Sequence, residues 1–150
     1  MLKKNIKILI FLFLFSQISF ANSEEQFLSL KKNKVNVRYG PGFDFPIKYI
    51  YNKKNFPIKL IDKKENFRRI IDHKKNSGWI HISQLKKVNS VITLEDKIMF
   101  KKSMIFSKPI AKIKKGRLLV ILKCVNYWCK VETDSYKGWV DKSNLWGAFN

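Results

Sequence analysis

This sequence is poor in the side chains that usually carry chemistry. Its 150 residues hold four arginines, two histidines, two cysteines and eleven acids. Each scarcity excludes something. A glycosidase needs two carboxylates facing each other across a cleft, and the few acids here are scattered over loops and strand ends. A metal centre needs a cluster of His, Cys or carboxylate ligands at set spacings, and none is visible, so no metal and no cofactor is expected. A cysteine peptidase needs a free thiolate beside a histidine base, and His73 in "DHKKNSG" reads as a solvated loop residue. The expectation is a protein that is not an enzyme. The formal charge of +20 is nearly all lysine, with Arg38, Arg68, Arg69 and Arg117 the only arginines. Base and phosphate recognition favours the arginine fork, so no specific nucleic-acid partner is expected. The basic excess is either a solvated surface or a field that attracts anionic polymers.

Long apolar runs are also lacking, except at the start. Lys3, Lys4 and Lys7 precede an apolar core over Ile8 to Phe15, and Ser19 and Ala21 supply small residues before Asn22. This is the pattern of a signal peptide cleaved after Ala21. An uncleaved anchor is the alternative. The mature chain is then exported, periplasmic or secreted, and not an integral membrane protein. Both cysteines lie in "CVNYWC". In an oxidising compartment Cys124 and Cys129 are most simply a disulfide, facing each other across a hairpin. Trp128 is expected to cover that hairpin.

What is present is a repeat. "SGWIHISQL" (77–85) matches "KGWVDKSNL" (137–145), and "NFRRI" (66–70) matches "YWCKV" (127–131), aligning Phe67 with Trp128. "FLSL" (27–30) aligns with "VITL" (91–94), "VNVR" (35–38) with "IMFK" (98–101), and "PIKYI" (46–50) with "PIAKI" (109–113). Asn55 stands where the second copy has Gly116. Each copy reads as short strands rich in β-branched and aromatic residues, separated by Gly, Pro, Asn and Asp. No helical periodicity competes outside the leader. Five or six short strands in a unit of this size suit a small, partly open barrel, and two such thin cores would gain from packing together.

The "VNVR" strand, the Gly-Pro-Gly turn, a central hairpin and a closing "GW[IV]xxSxL" together resemble the bacterial SH3-like (SH3b) domain. "FLSLKKNKVNVRYGPG", "ENFRRI", the Cys-x4-Cys pair and the terminal "LWG" further resemble exported alphaproteobacterial proteins with tandem SH3-like domains. The resemblance implies an all-β protein of two tandem SH3-like small β-barrels after a cleaved signal peptide. The expected division is 1–21 leader, 22–87 first domain and 88–150 second. It also implies a binding module of the cell envelope.

"YGPGFDFP" is not a phosphate cradle, because Pro41 removes an amide donor and no helix follows. Its glycines are expected to turn the chain sharply after the strand. In SH3-like barrels this loop flanks the ligand groove, which makes Tyr39, Phe43, Asp44 and Trp79 the candidate ligand-binding residues. Tyr39 and Phe43 read equally well as core residues, and Phe45 reads as core. Trp79 and Trp139 recur in both copies, which argues mainly for barrel packing. His81 has Asp141 as its counterpart, so neither is a candidate for chemistry. The second copy has "KKSMIFSKP" instead of the glycine turn and is expected to carry a differently shaped loop. The expected partner is a cell-wall peptide or glycan, or an envelope protein. The alternatives are an accessory subunit packed against a partner protein, and anionic-polymer or nucleic-acid binding by the lysine surface.

Overall fold

A computed structural model describes residues 26–149. The expected signal peptide, residues 1–21, lies outside the described residues. The chain forms strands β1 (Phe27–Leu30), β2 (Val35–Arg38), β3 (Ile47–Tyr51), β4 (Pro57–Lys64), β5 (Phe67–Ile71), β6 (Ser77–His81) and β7 (Leu85–Lys87). It then repeats them as β8 (Ser90–Thr93), β9 (Lys97–Phe100), β10 (Pro109–Ile113), β11 (Leu118–Val125), β12 (Trp128–Thr133), β13 (Tyr136–Asp141) and β14 (Leu145–Trp146). The all-β expectation holds. Seven strands form in each copy rather than five or six, because a short last strand, β7 or β14, pairs with β1 or β8 at the sheet edge.

The sheet orders are β3-β2-β6-β5-β4-β1-β7 and β10-β9-β13-β12-β11-β8-β14, so the second copy repeats the topology of the first. Each sheet curls over its own core. Leu30, Val35, Val37, Ile58, Ile70 and Ile80 fill the first, and Val91, Met99, Leu119, Cys129, Val131 and Val140 the second. Asn55 and Gly116 are equivalent, as expected. Both have positive φ, and each donates its N–H to the carbonyl of an equivalent strand residue, Leu30 or Thr93.

Three strand correspondences differ from the sequence alignment by one residue. Gly78 abuts Val37 and Gly138 abuts Met99, which equates those two positions and places Val35 with Lys97. The β2–β3 and β9–β10 registers pair Ile47 with Pro109 as equivalents, not Pro46. Leu30 corresponds to Thr93, so "FLSL" matches "SVIT". The slip has a physical cause. Ile98, Met99 and Phe100 are all apolar, so composition alone does not reveal that Met99 faces the core.

The barrels touch. Ser29 and Ser90 are both fully buried, with hydroxyls 3.1 Å apart, and Ser90 also donates to the Asn55 carbonyl. The Phe27 and Trp146 rings meet edge to face, 5.2 Å between centroids.

Cys124 and Cys129 are register partners and form the disulfide, with Cα atoms 4.0 Å apart. Cys129 is a core residue, so its strand neighbour Trp128 lies on the opposite face. Trp128 therefore does not cover the disulfide. Its ring packs edge-on against Phe100. The bridge closes a very short loop, so reducing it is expected to lower the stability of this barrel by only about 2 kcal/mol. Urea unfolding with and without reductant measures this.

Candidate functional site

On β2, β5 and β6, alternation turns one set of side chains away from the core. Register places Arg38 and Arg69 on either side of Trp79, and Phe67 opposite His81. This outer face therefore gathers three cationic or imidazole groups and two aromatic rings.

The loop 39–46 folds over it. The Arg38 guanidinium donates to the carbonyls of Phe43 (3.1 Å) and Phe45 (2.6 Å) and lies 5.5 Å from the Phe43 ring centre. Phe43 is thereby held with its ring 5.2 Å from Phe67 and 5.1 Å from His81. His81 Nδ1 is engaged by Ser83, accepting from its N–H and lying 2.8 Å from its hydroxyl. The result is a stack whose upper ring, Phe43, remains 65% exposed over a Phe67 that is only 6% exposed.

The chain turns at these glycines as expected, the Gly42 N–H closing on the Gly40 carbonyl, but it does not need glycine's conformational freedom to do so. Neither Gly40 nor Gly42 has positive φ. A Cβ on Gly40 would collide with the Phe45 ring, and one on Gly42 with the Asp44 carboxylate. The pair makes room for residues folded back across the loop. In the second copy, Ser107 replaces Phe45, and Lys102 and Met104 replace the glycines. The two loops are not differently built at the base: both have eight residues. Tyr39 donates to Pro46 and Lys101 to Lys108, while Gly42 donates to Gly40 and Met104 to Lys102. Only the tip differs.

Of the expected site residues, Tyr39 is exposed, with the Lys48 ammonium 5.6 Å from its ring centre. Phe43 is exposed above Phe67 and His81, and Asp44 is exposed against Gly42. Trp79 is half-buried on the outer face next to Arg38. Two expectations are corrected. Phe45 is 40% exposed and lies over the loop rather than in the core. Trp79 and Trp139 sit outside both cores, because the glycines before them are the inward residues. Sequence reasoning missed Arg38, Phe67 and His81 as neighbours of the loop. The available signal was alternation: His81 is two residues from Trp79, and Phe67 is its cross-strand partner. His73 is not the solvated loop residue expected. Its ring packs 5.7 Å from Phe56, and burial lowers its pKa.

The equivalent region of the second barrel is built differently. Ile105, Trp128 and Asp141 stand at the positions of Phe43, Phe67 and His81. They border an open cleft of about 300 Å³ with Phe100 and Glu95. Beneath it Lys97, at the core position of Val35, has a side chain only 2% exposed. Its ammonium reaches Asp141 at 2.8 Å, Ser143 at 3.1 Å and Glu95 at 3.4 Å. Partial burial alone would raise the Asp141 pKa, but the Lys97 ammonium and the Ser143 bonds outweigh it and hold the carboxyl below its usual range. Asp96, an exposed residue, is also held low, by the Lys115 N–H and the Lys114 ammonium. Among the described residues no group of three or more His, Cys, Asp or Glu side chains is placed to hold a metal.

A sequence profile of the family described as "Bacterial SH3 domain" matches residues 31–87 and 106–147. No curated protein matches the chain. Two solved structures align at 11% identity, those of NlpC2 and NlpC1 from Trichomonas vaginalis, with TM-scores of 0.39 and 0.38. They cover 83% and 85% of this chain, which spans 48% and 47% of theirs.

Proposed function

The chain belongs to the bacterial SH3 domain family, and from that premise we propose that it is an exported, non-catalytic cell-envelope module that binds peptidoglycan or an envelope protein through its first barrel. The observation that carries this is the face beneath the loop 39–46. Tyr39 and Phe43 are exposed on a loop held rigid by two Arg38 hydrogen bonds, beside Trp79 and above Phe67 and His81. Rigid aromatic rings cost little entropy when they meet a ligand, and their faces suit an extended peptide or the apolar face of a sugar. Arg38 and Arg69 pair with Trp79 from either side of its strand, and their positive charge would attract a stem-peptide carboxylate. Asp44 at the loop rim offers the opposite charge to an amine. The proposed division places this site in a domain ending near residue 87 and leaves the second barrel, from residue 88, without it.

A pulldown on purified cell-wall sacculi tests the peptidoglycan version. Wild-type protein is expected to be retained at moderate salt, and Phe43→Ala with Trp79→Ala to reduce retention roughly tenfold, as loss of two aromatic contacts predicts. Loss of wild-type retention on modest salt addition would assign the binding to lysine electrostatics instead. No retention at low salt would remove peptidoglycan and leave the envelope-protein version.

A further inference from the structure

We propose that the loop 101–108 of the second barrel is a membrane-docking tip that inserts into the interface of an anionic phospholipid bilayer. Three consecutive apolar residues stand at its apex: Met104 is 51% exposed, Ile105 67% and Phe106 95%. Phe106 is the most exposed large apolar side chain among the described residues. The tip is held from within. Lys101 N–H donates to Lys108 O (2.9 Å), Ser107 N–H to Met104 O (3.2 Å) and Lys102 N–H to the Ser107 hydroxyl (2.9 Å). The apolar apex is thus presented by an ordered loop, which lowers the entropic cost of using it.

The charge around the apex matches the partner. Lys101, Lys102 and Lys108 flank it, and a cleft of about 560 Å³ at its base is lined by Lys101, Lys108, Lys130 and Lys137 over Pro109, Ile110 and Gly138. Among the described residues, only Lys137 of these four approaches a carboxylate, Glu132 at 3.6 Å. Lysines serve phosphate as point charges, without the fixed fork that base reading needs. Apolar side chains that reach the acyl boundary, with lysines beside them at headgroup depth, are the arrangement of an interfacial anchor. The acids on the cleft that Ile105 borders, Glu95, Asp96 and Asp141, are engaged by Lys97, Lys112 and Lys114. A peptide or a second barrel would have to wall in a protruding ring, whereas lipid accommodates it without a preformed pocket.

The first barrel supplies the internal control. At the positions of Phe106 and Ile105 it has Asp44 and a Phe43 folded down on Phe67 and His81. The place of the lysine cleft holds Tyr39, Pro46, Arg69 and Ser77, and Lys48 lies across it, donating to the Ser77 carbonyl at 2.9 Å. The fold therefore needs neither an outward-standing Phe106 nor the lysines of this cleft, and both are private to the second barrel.

The test uses the chain without residues 1–21, the expected leader, whose own membrane affinity would obscure that of the tip. Sedimentation with phosphatidylcholine vesicles, with and without phosphatidylglycerol, is expected to show binding at least tenfold tighter to the anionic vesicles. Met104→Ala with Phe106→Ala is expected to weaken that binding roughly tenfold, the loss of one well-buried apolar side chain. Lys130→Glu with Lys137→Glu should weaken it more than tenfold, since each surface-near lysine contributes about fivefold. A Phe106→Trp protein should show a blue-shifted emission on anionic vesicles only. Unchanged binding by the Met104/Phe106 variant would overturn insertion, and so would equal binding to neutral vesicles or no binding to either. Self-association in the ultracentrifuge that disappears with the Phe106 substitution would assign the tip to a second copy and also overturn it.

Discussion

Asp141→Asn is expected to destabilise the second barrel by roughly 3 kcal/mol at neutral pH, whereas Lys97→Met should be neutral or stabilising by up to about 2 kcal/mol. The asymmetry comes from burial. The Lys97 side chain is 2% exposed and Asp141 41%, so removing the carboxylate strands a buried ammonium, while removing the ammonium frees a carboxylate that water can reach. Glu95 at 3.4 Å stays as a weaker partner in Asp141→Asn, which keeps the cost at the low end for a broken buried pair. Methionine fits because the equivalent position of the first barrel is Val35, fully buried in an apolar core. The double variant should cost less than Asp141→Asn alone, since no charge is then left unpaired. Protonation should imitate the substitution. The Asp141 pKa is lowered by folding, so its stabilising contribution is present above the unfolded value of about 4 and is lost as pH falls through the folded value. Urea unfolding followed by tryptophan emission reads all three variants. The idea fails if Lys97→Met costs more than Asp141→Asn.

The second large effect lies in the repeated Gly-Trp pair. Gly78→Ala and Gly138→Ala are each expected to cost roughly 2–3 kcal/mol, the upper part of the range for overpacking a tight core. A Cβ on Gly138 would stand 2.6 Å from Met99 Cγ, 2.8 Å from the Phe100 carbonyl and 2.9 Å from Ile110 Cδ1. One on Gly78 would collide with the Val37 side chain and stand 3.0 Å from the Arg38 carbonyl. In both cases a backbone atom of the adjoining strand is involved, so a rotamer change does not relieve the overlap. Trp79→Ala and Trp139→Ala remove half-buried rings from the outer face and should cost about half as much. Parallel denaturant titrations of the four variants decide it. A tryptophan loss more costly than its glycine neighbour's substitution would refute the assignment of the glycine as the packing residue.

Much of the fold was legible because strands of this kind announce themselves. Val35 and Val37 alternate with polar neighbours, Asn55 and Gly116 mark one turn twice, and the Gly-Trp pairs give the repeat a fixed point. Register was not legible at "KIMF" or "PIAKI", where adjacent apolar residues let a one-residue slip keep the same hydrophobic content. That slip hid Lys97. A lysine is normally read as surface, and nothing local to it reveals that Asp141 and Ser143, forty-four and forty-six residues on, come to meet its ammonium. The candidate site was half legible. Tyr39, Phe43 and Asp44 are neighbours in sequence, but Phe67 and His81 reach Phe43 only across the sheet.

By itself the sequence determined the class of the molecule: two copies of a small β unit, with Cys124 and Cys129 close enough to bridge. Those properties depend on local alternation, turn residues and short separations, which a linear chain displays. Only the tertiary structure decided what the two copies do differently. It showed that Gly40 and Gly42 make room for the side chains of Phe45 and Asp44, that Phe43 folds down while Phe106 stands out, and that four lysines from one loop and two strands share one cleft. Each of these depends on which face a strand turns and which loop it meets, and register sets that across the sheet.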